Sequence, residues 1–346
     1  MPSSLAIRIR SFIHSRNVSG KGFGRISLKK YAHFYGQTRV REMRILLLHN
    51  PNAGREEHEV EELIKALAQA GHEAIYQSSK KKGIKKAIQK EIDLVLVAGG
   101  DGAVGKAARY LIGSKIPLSI LPLGTANNLA RTLGFTASAK TLIAKISQGK
   151  RRAFDVGLAR GPWGKRYFFE GAGAGLFADY LLAPRREAET GQKISKAEEM
   201  KRHVVEMRRH LQDYKARSWR IELDGRDFSG RYLLWQVMNI RSVGPVLTLA
   251  PGAKTDDGEL DFMGAREEDR GLLLDYLDAR LAGTKVKFPL RTKRFKKMRV
   301  RWKKSPLHFD DVVWPEEGEE RPEPCEIEIS VKGSALGVWS EVRRKN

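Results

Sequence analysis

The feature that most constrains the fold of this chain is an apolar run that ends in a glycine-rich turn. Leu94-Val95-Leu96-Val97 is fully apolar, which is typical of a central strand in a parallel sheet. The turn Gly99-Gly100-Asp101-Gly102 follows, and a helix is predicted from it through Leu111. Glycines let a ligand approach the backbone, and free amides at a helix start attract phosphate oxygens. The run therefore predicts an anion site, with an ordinary strand-to-helix turn as the alternative.

Strands and helices alternate around that turn. Residues 45–48, 74–76 and 118–121 are apolar enough to predict three further short strands. Helical spacing of apolar residues predicts a helix over 60–67, and a Lys-rich helix is predicted over about 83–90. This alternation predicts a parallel α/β sheet, whose ligands bind beyond the carboxyl ends of its strands.

The second half of the chain has a different pattern. After about Gly149, alternating and aromatic-rich segments are separated by glycine turns, which predicts a second, mostly antiparallel domain. We therefore expect a basic extension over residues 1–42, an α/β domain over 43–135 and a β-rich domain over 136–340. A return of the C-terminal segment to the first domain is left open.

The net charge is strongly positive. The chain has 64 Lys and Arg against 41 Asp and Glu, a formal net charge of +23. Such a charge attracts nucleotide phosphates, anionic lipid headgroups and nucleic acid, although basic residues also serve solubility alone. No nucleic-acid-binding motif accompanies the charge, so no specific nucleic-acid partner is expected.

Cysteine content and hydropathy favour a cytoplasmic protein. Cys325 is the single cysteine, so an internal disulfide and a cysteine-based zinc site are excluded and a reducing compartment fits best. No apolar run approaches the roughly 18 residues that span a bilayer, so membrane association is expected to be peripheral.

The N-terminal segment is basic and has no clear periodicity. Residues 1–42 hold nine Lys or Arg and a single acid, Glu42. Three interpretations stay open: upstream read-through before a start at Met43, a disordered basic arm, or a targeting segment. The basic character of the remaining chain does not depend on this segment.

A second turn of the same kind follows the predicted strand at 118–121. Gly124-Thr125-Ala126-Asn127-Asn128 places small hydroxyl and amide side chains before a helix, and Thr125 also fits a helix cap. If both turns lie at the same sheet edge, they line one cleft. Residues 100–106 also have the G-x-x-x-x-G-K spacing of a P-loop, but Ala107 stands where that motif needs Ser or Thr to hold magnesium.

Taken together, these motifs resemble the diacylglycerol kinase catalytic-domain family, which includes bacterial lipid kinases, sphingosine kinases and ceramide kinases. Gly99-Gly100-Asp101-Gly102-Ala103 resembles its GGDGT signature, and residues 121–131 resemble its P-x-GT-x-N-x-x-A-R run. His49-Asn50-Pro51-Asn52-Ala53-Gly54 is similar to its first nucleotide loop. The resemblance implies a phosphofructokinase- and NAD-kinase-like α/β domain followed by a β-sandwich domain that receives a lipid substrate.

The resemblance also implies which residues hold ATP and Mg²⁺. ATP is expected in the cleft between the domains, in contact with Asn52, Ser79, Gly99, Gly100, Asp101, Gly102, Ala103 and Thr125. Residues 251–261 resemble a turn that holds magnesium in relatives. Its ligands here would be the Asp257 carboxylate and the carbonyls of Lys254 and Glu259, since oxygen ligands suit this ion. Without the resemblance, the same segment is simply a hairpin turn.

Three positions depart from the family pattern. Ala103 replaces a threonine, Lys106 stands where glutamate is common, and Val312 replaces the glutamate thought to act as general base in the bacterial enzymes. The loss of that glutamate matters because a lipid hydroxyl is a weak nucleophile, which a carboxylate should orient or deprotonate.

Other carboxylates are candidates for this role. We expect Asp101 to act first, because the sphingosine-kinase relatives resemble this site in relying on the turn aspartate. Asp310 and Asp311 are second choices, with solvated turn acids as the plainer interpretation of both.

Residues 196–217 predict one long amphipathic helix. Apolar residues recur every three or four positions, and Lys and Arg crowd the other face. The apolar stripe fits packing inside its own domain, whereas the basic face suits anionic headgroups at a membrane surface.

Two functions remain as hypotheses. The first is an ATP-dependent lipid kinase that transfers the γ-phosphoryl group to a diacylglycerol-like or sphingoid hydroxyl at a membrane surface. The alternative is a catalytically impaired member of the same family that binds nucleotide or lipid, as the departures at Ala103, Lys106 and Val312 suggest.

Overall fold

The computed structural model of the protein describes residues 42–51, 53, 59–88, 91–183, 195–316, 318–319 and 322–341. The predictions for Asn52 and for the N-terminal extension, apart from Glu42, fall outside these residues. Within them, no helix combines the length and the apolar character that crossing a bilayer requires.

The first half forms the predicted parallel sheet with helices on both faces. Its strands are β1 (Arg44–His49), β2 (Glu73–Ser78), β3 (Leu94–Gly99) and β4 (Leu118–Pro122), in the order β4-β3-β1-β2. Its helices are α1 (Val60–Gln69), α2 (Ile84–Ile88), α3 (Asp101–Leu111), α4 (Asn128–Leu133) and α5 (Ala139–Ala144). Side chains of α1 and α5 pack on one face, and those of α2, α3 and α4 pack on the other. Every residue of β3 is buried, because both faces of the sheet are covered.

The second half is mostly antiparallel. Its strands are β5 (Lys150–Gly161), β6 (Gly164–Phe168), β7 (Gly171–Gly175), β8 (Arg217–Leu223), β9 (Arg226–Asp227), β10 (Gly230–Tyr232), β11 (Leu234–Met238), β12 (Ser242–Val243), β13 (Leu247–Thr248), β14 (Leu260–Ala265), β15 (Lys293–Phe295), β16 (Lys297–Trp302), β17 (Leu307–Phe309), β18 (Val312–Trp314) and β19 (Cys325–Ser340). Its helices are α6 (Leu176–Leu182), α7 (Lys196–Asp213) and α8 (Arg270–Leu281).

The long strand β19 joins the two halves into one mixed sheet. It pairs antiparallel with β5 and β16, and near its end Val338 pairs with Leu118 of β4 in parallel. The sheet therefore runs β10-β8-β16-β19-β4-β3-β1-β2. The C-terminal strand thus lies directly beside the parallel strands of the first half.

A second sheet, entirely antiparallel, has the order β15-β14-β11-β7-β17-β18. Its inner face packs on the antiparallel part of the mixed sheet. Large aromatic side chains from both layers fill the space between them, including Trp219, Trp302, Trp235 and Phe309. The α/β first half and the β-sandwich second half are therefore the fold that the sequence predicts.

Helix α7 is shorter than predicted. It begins at a capping box formed by Ser195 and Glu198, and it ends at Asp213 rather than at residue 217. Tyr214 has an extended backbone, because the chain must enter β8 at Arg217. The buried side chains Val204, Met207 and Leu211 form the centre of the apolar stripe, so its predicted packing inside the domain is confirmed.

Candidate active site

The two glycine turns touch at one edge of the parallel sheet. Gly99 at the end of β3 pairs with Pro122 at the end of β4, so the turns after these strands emerge side by side. A methyl group on Gly124 would lie 2.4 Å from the Cα of Gly100. Because a side chain at Gly124 would overlap the first turn, this close approach requires glycine there.

The first turn presents unused backbone donors. Gly100 is extended (φ −93°, ψ −175°), and α3 begins at the next residue. The first amide of α3 that finds a carbonyl partner is that of Ala103, which donates to Gly100 at 3.0 Å. Among the described residues, nothing accepts from the amides of Asp101 and Gly102. Donors of this kind at a helix start bind anions such as phosphate.

Asp101 links the first turn to the helix that follows the second turn. Its two carboxylate oxygens accept hydrogen bonds from the backbone amides of Asn128 (2.9 Å) and Leu129 (3.0 Å). Burial raises the pKa of Asp101, and these hydrogen bonds lower it in part. Each oxygen keeps a second lone pair, so the carboxylate can still accept a hydrogen bond from a hydroxyl group.

Residues outside the turns hold this edge of the sheet together. Ser79 is buried directly after β2, and its carbonyl accepts a 2.7 Å hydrogen bond from Lys106 Nζ. Lys106, which departs from the family pattern in charge, therefore ties α3 to the end of β2. The Thr125 hydroxyl donates a 3.2 Å hydrogen bond to Glu199 of α7, so the second turn also contacts the second half of the chain.

Asp310 is a buried anchor rather than a solvated turn acid. It lies between β17 and β18 with φ +55°, and only 8% of it is exposed. Its carboxylate accepts hydrogen bonds from the backbone amides of Phe169 (2.9 Å), Glu170 (2.7 Å) and Gly171 (3.3 Å). Burial raises the pKa of Asp310 to about 6 in spite of these hydrogen bonds. Asp310 therefore holds the start of β7 in place.

The neighbouring Asp311 reaches the glycine turn instead. The residue is exposed, and its Oδ2 would lie 3.1 Å from a methyl group placed on Gly102. It lies close enough to Asp101 for its charge to raise the pKa of that carboxyl. Of the two second-choice acids, Asp311 is thus the one that faces the space in front of the turn.

Glu170 is a site residue that the sequence analysis missed. It is 7% exposed, and its Oε2 accepts a 3.0 Å hydrogen bond from the side-chain amide of Asn128. Burial raises its pKa well above the ordinary value, and the charges of Asp101 and Asp310 raise it further. Glu170 therefore keeps its proton to a higher pH than an ordinary glutamate does.

A signal for Glu170 exists in the sequence. The acid stands alone between Phe168-Phe169 and the run Gly171-Ala172-Gly173-Ala174-Gly175, where every other residue is aromatic or small. A charged side chain in such a run is buried with a partner or serves the site. The partner, Asn128, lies 42 positions away along the chain, which the pattern does not indicate.

The turn predicted to hold magnesium contains suitable donors and a competing cation. Asp257 and Glu259 both lie near Arg294 Nη1, at 3.8 and 3.1 Å. One oxygen of Asp257 also accepts the backbone N–H of Glu259 at 3.2 Å. The carboxylate and the carbonyls of Lys254 and Glu259 are oxygen donors of the type that magnesium prefers. These donor types thus fit magnesium, while the positive charge of Arg294 would repel the ion.

Comparison with known proteins is consistent with this geometry. Residues 44–159 match the diacylglycerol kinase catalytic domain, and residues 186–339 match the YegS C-terminal NAD kinase beta sandwich-like domain. A curated diacylglycerol kinase from Bacillus subtilis (strain 168) is 28% identical over 232 residues, which are 64% of this chain and 73% of that protein. Another, from Mycobacterium tuberculosis (strain CDC 1551 / Oshkosh), is 31% identical over 190 residues, which are 54% of this chain and 60% of that protein.

A crystal structure of a diacylglycerol kinase from Bacillus anthracis str. Sterne has the same fold. It superposes with a TM-score of 0.63 at 21% identity, covering 87% of this chain and 98% of that one. The matched domains are those of a kinase, a phosphotransferase. The chain belongs to the diacylglycerol kinase catalytic-domain family, a family of lipid kinases.

Proposed function

We propose that this protein transfers the γ-phosphoryl group of ATP to a hydroxyl group of a lipid at a membrane surface. The observation that carries the proposal is the close approach of Gly100 and Gly124, which brings the second turn against the first turn and its unused amides at Asp101 and Gly102. In this proposal the α/β half, over residues 43–135, binds the nucleotide. The β-rich half, over residues 136–340, presents the lipid.

The proposed reaction assigns distinct tasks to the groups around the turns. The amides of the first turn bind phosphate oxygens, with Ser79, Ala103 and Thr125 completing the nucleotide contacts. Asp101 takes the proton of the acceptor hydroxyl group, while the oxygen of that hydroxyl group bonds to the γ-phosphorus. The bond between that phosphorus and the β-phosphate oxygen breaks, and ADP leaves. Burial raises the pKa of Glu170, which favours its neutral form and so reduces the negative charge beside the turns.

Magnesium enters the proposal as a bound ion that neutralises phosphate charge. The Asp257 carboxylate with the carbonyls of Lys254 and Glu259 is the oxygen set proposed to hold one. Peripheral association with anionic lipids is proposed from the positive charge of the chain and from the exposed cations Lys201 and Arg202 on α7.

The experiment is a transfer assay with labelled ATP and mixed lipid micelles. The wild type should yield a phosphorylated lipid, and Asp101→Asn should lower the rate at least about 100-fold, the usual range for loss of a proton-transfer group. Asp275→Asn on the exposed face of α8 removes one carboxylate elsewhere and should leave the rate unchanged. Undiminished transfer by Asp101→Asn would reject the site.

The impaired-binder alternative has one structural observation in its favour. Val312 is 36% exposed at the start of β18, and its apolar side chain cannot accept a proton. This alternative predicts that ATP raises the melting temperature while no lipid in the panel is phosphorylated. Turnover of any lipid by the wild type, lost in Asp101→Asn, rules it out.

A further inference from the structure

The side chain of Asn128 is anchored to two different segments of the second half of the chain. Its amide nitrogen donates one hydrogen bond to Glu170 Oε2 and another to the Gly244 carbonyl between β12 and β13, each at 3.0 Å. A carbonyl oxygen can only accept, so the Gly244 contact fixes which way the amide group points. Asn128 Oδ1 is buried and has no hydrogen-bond partner among the described residues. The two donated bonds are therefore what holds this side chain.

The backbone of the same segment sets the position of Asp101. The amides of Asn128 and Leu129 donate to its two carboxylate oxygens at 2.9 and 3.0 Å. Rotation of Asn128 would move these donors, so the orientation of the Asp101 carboxylate depends on the anchors of the asparagine. Misplacement of a reacting group by about 1 Å costs roughly 100-fold in rate.

Three carboxyl groups on neighbouring elements interact with Glu170. Asp101 begins α3, and Asp310 and Asp311 form the turn between β17 and β18. Glu170 is 7% exposed, and burial together with the charges of these three groups raises its pKa. An ionised Glu170 would be a fourth negative charge within this cluster.

Little positive charge offsets these carboxyl groups. Among the described residues, the single ion pair that they form joins Asp310 Oδ2 to Arg109 Nη2 of α3, at 3.7 Å. His308 contacts the Asp310 carbonyl through Nδ1 at 3.0 Å, but burial lowers its pKa to about 4, so the ring is uncharged at neutral pH. The surroundings of Glu170 therefore favour its neutral form.

We infer that Glu170 is a positioning residue for phosphoryl transfer: its neutral side chain anchors Asn128, and Asn128 in turn holds the Asp101 carboxylate towards the acceptor hydroxyl group. The inference rests on the proposed function and adds a residue to it. Glu170 keeps its proton throughout the reaction, while Asp101 is ionised until it takes the proton of the hydroxyl group. Ionisation of Glu170 would repel both the Asp101 carboxylate and the triphosphate, so the active enzyme carries one proton on this pair of acids.

Two substitutions separate the anchor from the charge. Glu170→Gln keeps an acceptor for Asn128 and is neutral at every pH, whereas Glu170→Ala removes the acceptor. In the assay with labelled ATP and mixed lipid micelles, kcat of the wild type should fall about tenfold per pH unit above the pKa of Glu170. Glu170→Gln should stay level over that range, and the exposed control Glu62→Gln should follow the wild type. Glu170→Ala should be at least about tenfold slower at every pH.

A double variant tests whether Glu170 acts through Asn128. If it does, Glu170→Ala/Asn128→Ala should be no slower than the slower of its two single variants, because both remove the same hydrogen bond. Multiplied effects would overturn the inference, and so would superimposable pH profiles of the wild type and Glu170→Gln. A Glu170→Gln enzyme as slow as Glu170→Ala would also overturn it, since the ionised carboxylate would then be the working form. If Glu170→Ala does not fold, as its melting curve would show, the comparison of the wild type with Glu170→Gln still decides.

Failure of the proposed function gives a different result. In that case ATP binds but no lipid is phosphorylated by the wild type at any pH. Calorimetric titration with ATP then decides the role of Glu170. A loss of affinity at high pH in the wild type but not in Glu170→Gln supports the neutral form, and equal pH dependence in the two proteins rejects it.

Discussion

The side-chain amide of Asn128 donates a 3.0 Å hydrogen bond to Glu170, and this bond crosses from the helix after the second glycine turn to the edge of the β-sandwich. The backbone amide of the same asparagine donates to Asp101. One residue therefore connects a buried carboxyl group of the second half with the turn aspartate of the first. The carboxyl groups on either side of it have raised pKa values, chiefly because they are buried.

Replacing Glu170 by glutamine should flatten the pH dependence of stability. The folded-state pKa of Glu170 is raised above the ordinary 4.5, so its contribution is fully present below that pH and is lost as pH rises through the raised value. Without this group, the free energy of unfolding should fall less steeply as pH rises from 4.5 to the raised pKa. The difference in slope from the wild type should be up to about 1.4 kcal/mol per pH unit. Urea titrations at several pH values measure the slope. Glu62→Gln, on the exposed face of α1, is the control, and equal slopes in both variants would contradict the assignment.

Substitution of Asp310 should mainly lower stability, whereas substitution of the adjacent Asp311 should mainly slow catalysis. Asp310→Asn keeps the positive φ but turns an amide towards three backbone donors, so the free energy of unfolding should fall by about 2 kcal/mol or more. Asp311→Asn changes an exposed side chain and should alter it by less than about 0.5 kcal/mol, while slowing phosphoryl transfer. Chemical denaturation and the transfer assay measure the two effects. Equal destabilisation by both variants would refute the division of roles.

Gly124→Ala should disrupt nucleotide binding. The new methyl group would lie 2.4 Å from the Cα of Gly100, so the two turns must separate. The ATP-dependent rise in melting temperature should disappear. Gly271→Ala is the matched control, because its methyl group meets no atom within 4 Å and alanine favours the helix by up to about 1 kcal/mol. Normal ATP stabilisation of Gly124→Ala would show that the contact between the turns is not needed.

Arg294→Gln should strengthen magnesium binding at the turn that contains Asp257. The guanidinium group lies 3.1 Å from Glu259 and 3.8 Å from Asp257, so its removal takes away a positive charge that opposes the ion. Calorimetric titration with magnesium chloride should give an affinity several-fold higher than that of the wild type. Arg291→Gln, an exposed neighbour, should bind as the wild type does. Unchanged affinity in Arg294→Gln would indicate that the ion binds elsewhere.

The local sequence pattern was sufficient to predict the strands, helices and turns around the glycine-rich turn of the parallel half. The apolar run before Gly99 predicts a fully buried strand, and the glycines after it predict a tight turn into a helix. These outcomes depend on side chains within a few positions of one another, which is why periodicity and turn chemistry reveal them. The helix predicted over 196–217 shows the limit of predicting helix ends from apolar spacing. Its apolar spacing continues to Tyr214, but the chain leaves the helix after Asp213 to supply β8.

The sequence by itself determined the order of strands and helices in the parallel half, the two glycine turns and the kinase family, because these follow from short-range pattern and motif. Only the tertiary structure decided that β19 joins both halves in one sheet and that Asn128 meets Glu170. The same holds for the separate roles of Asp310 and Asp311, which differ in burial. Such contacts join residues far apart in the chain, and they depend on how sheets and helices stack rather than on any local spacing.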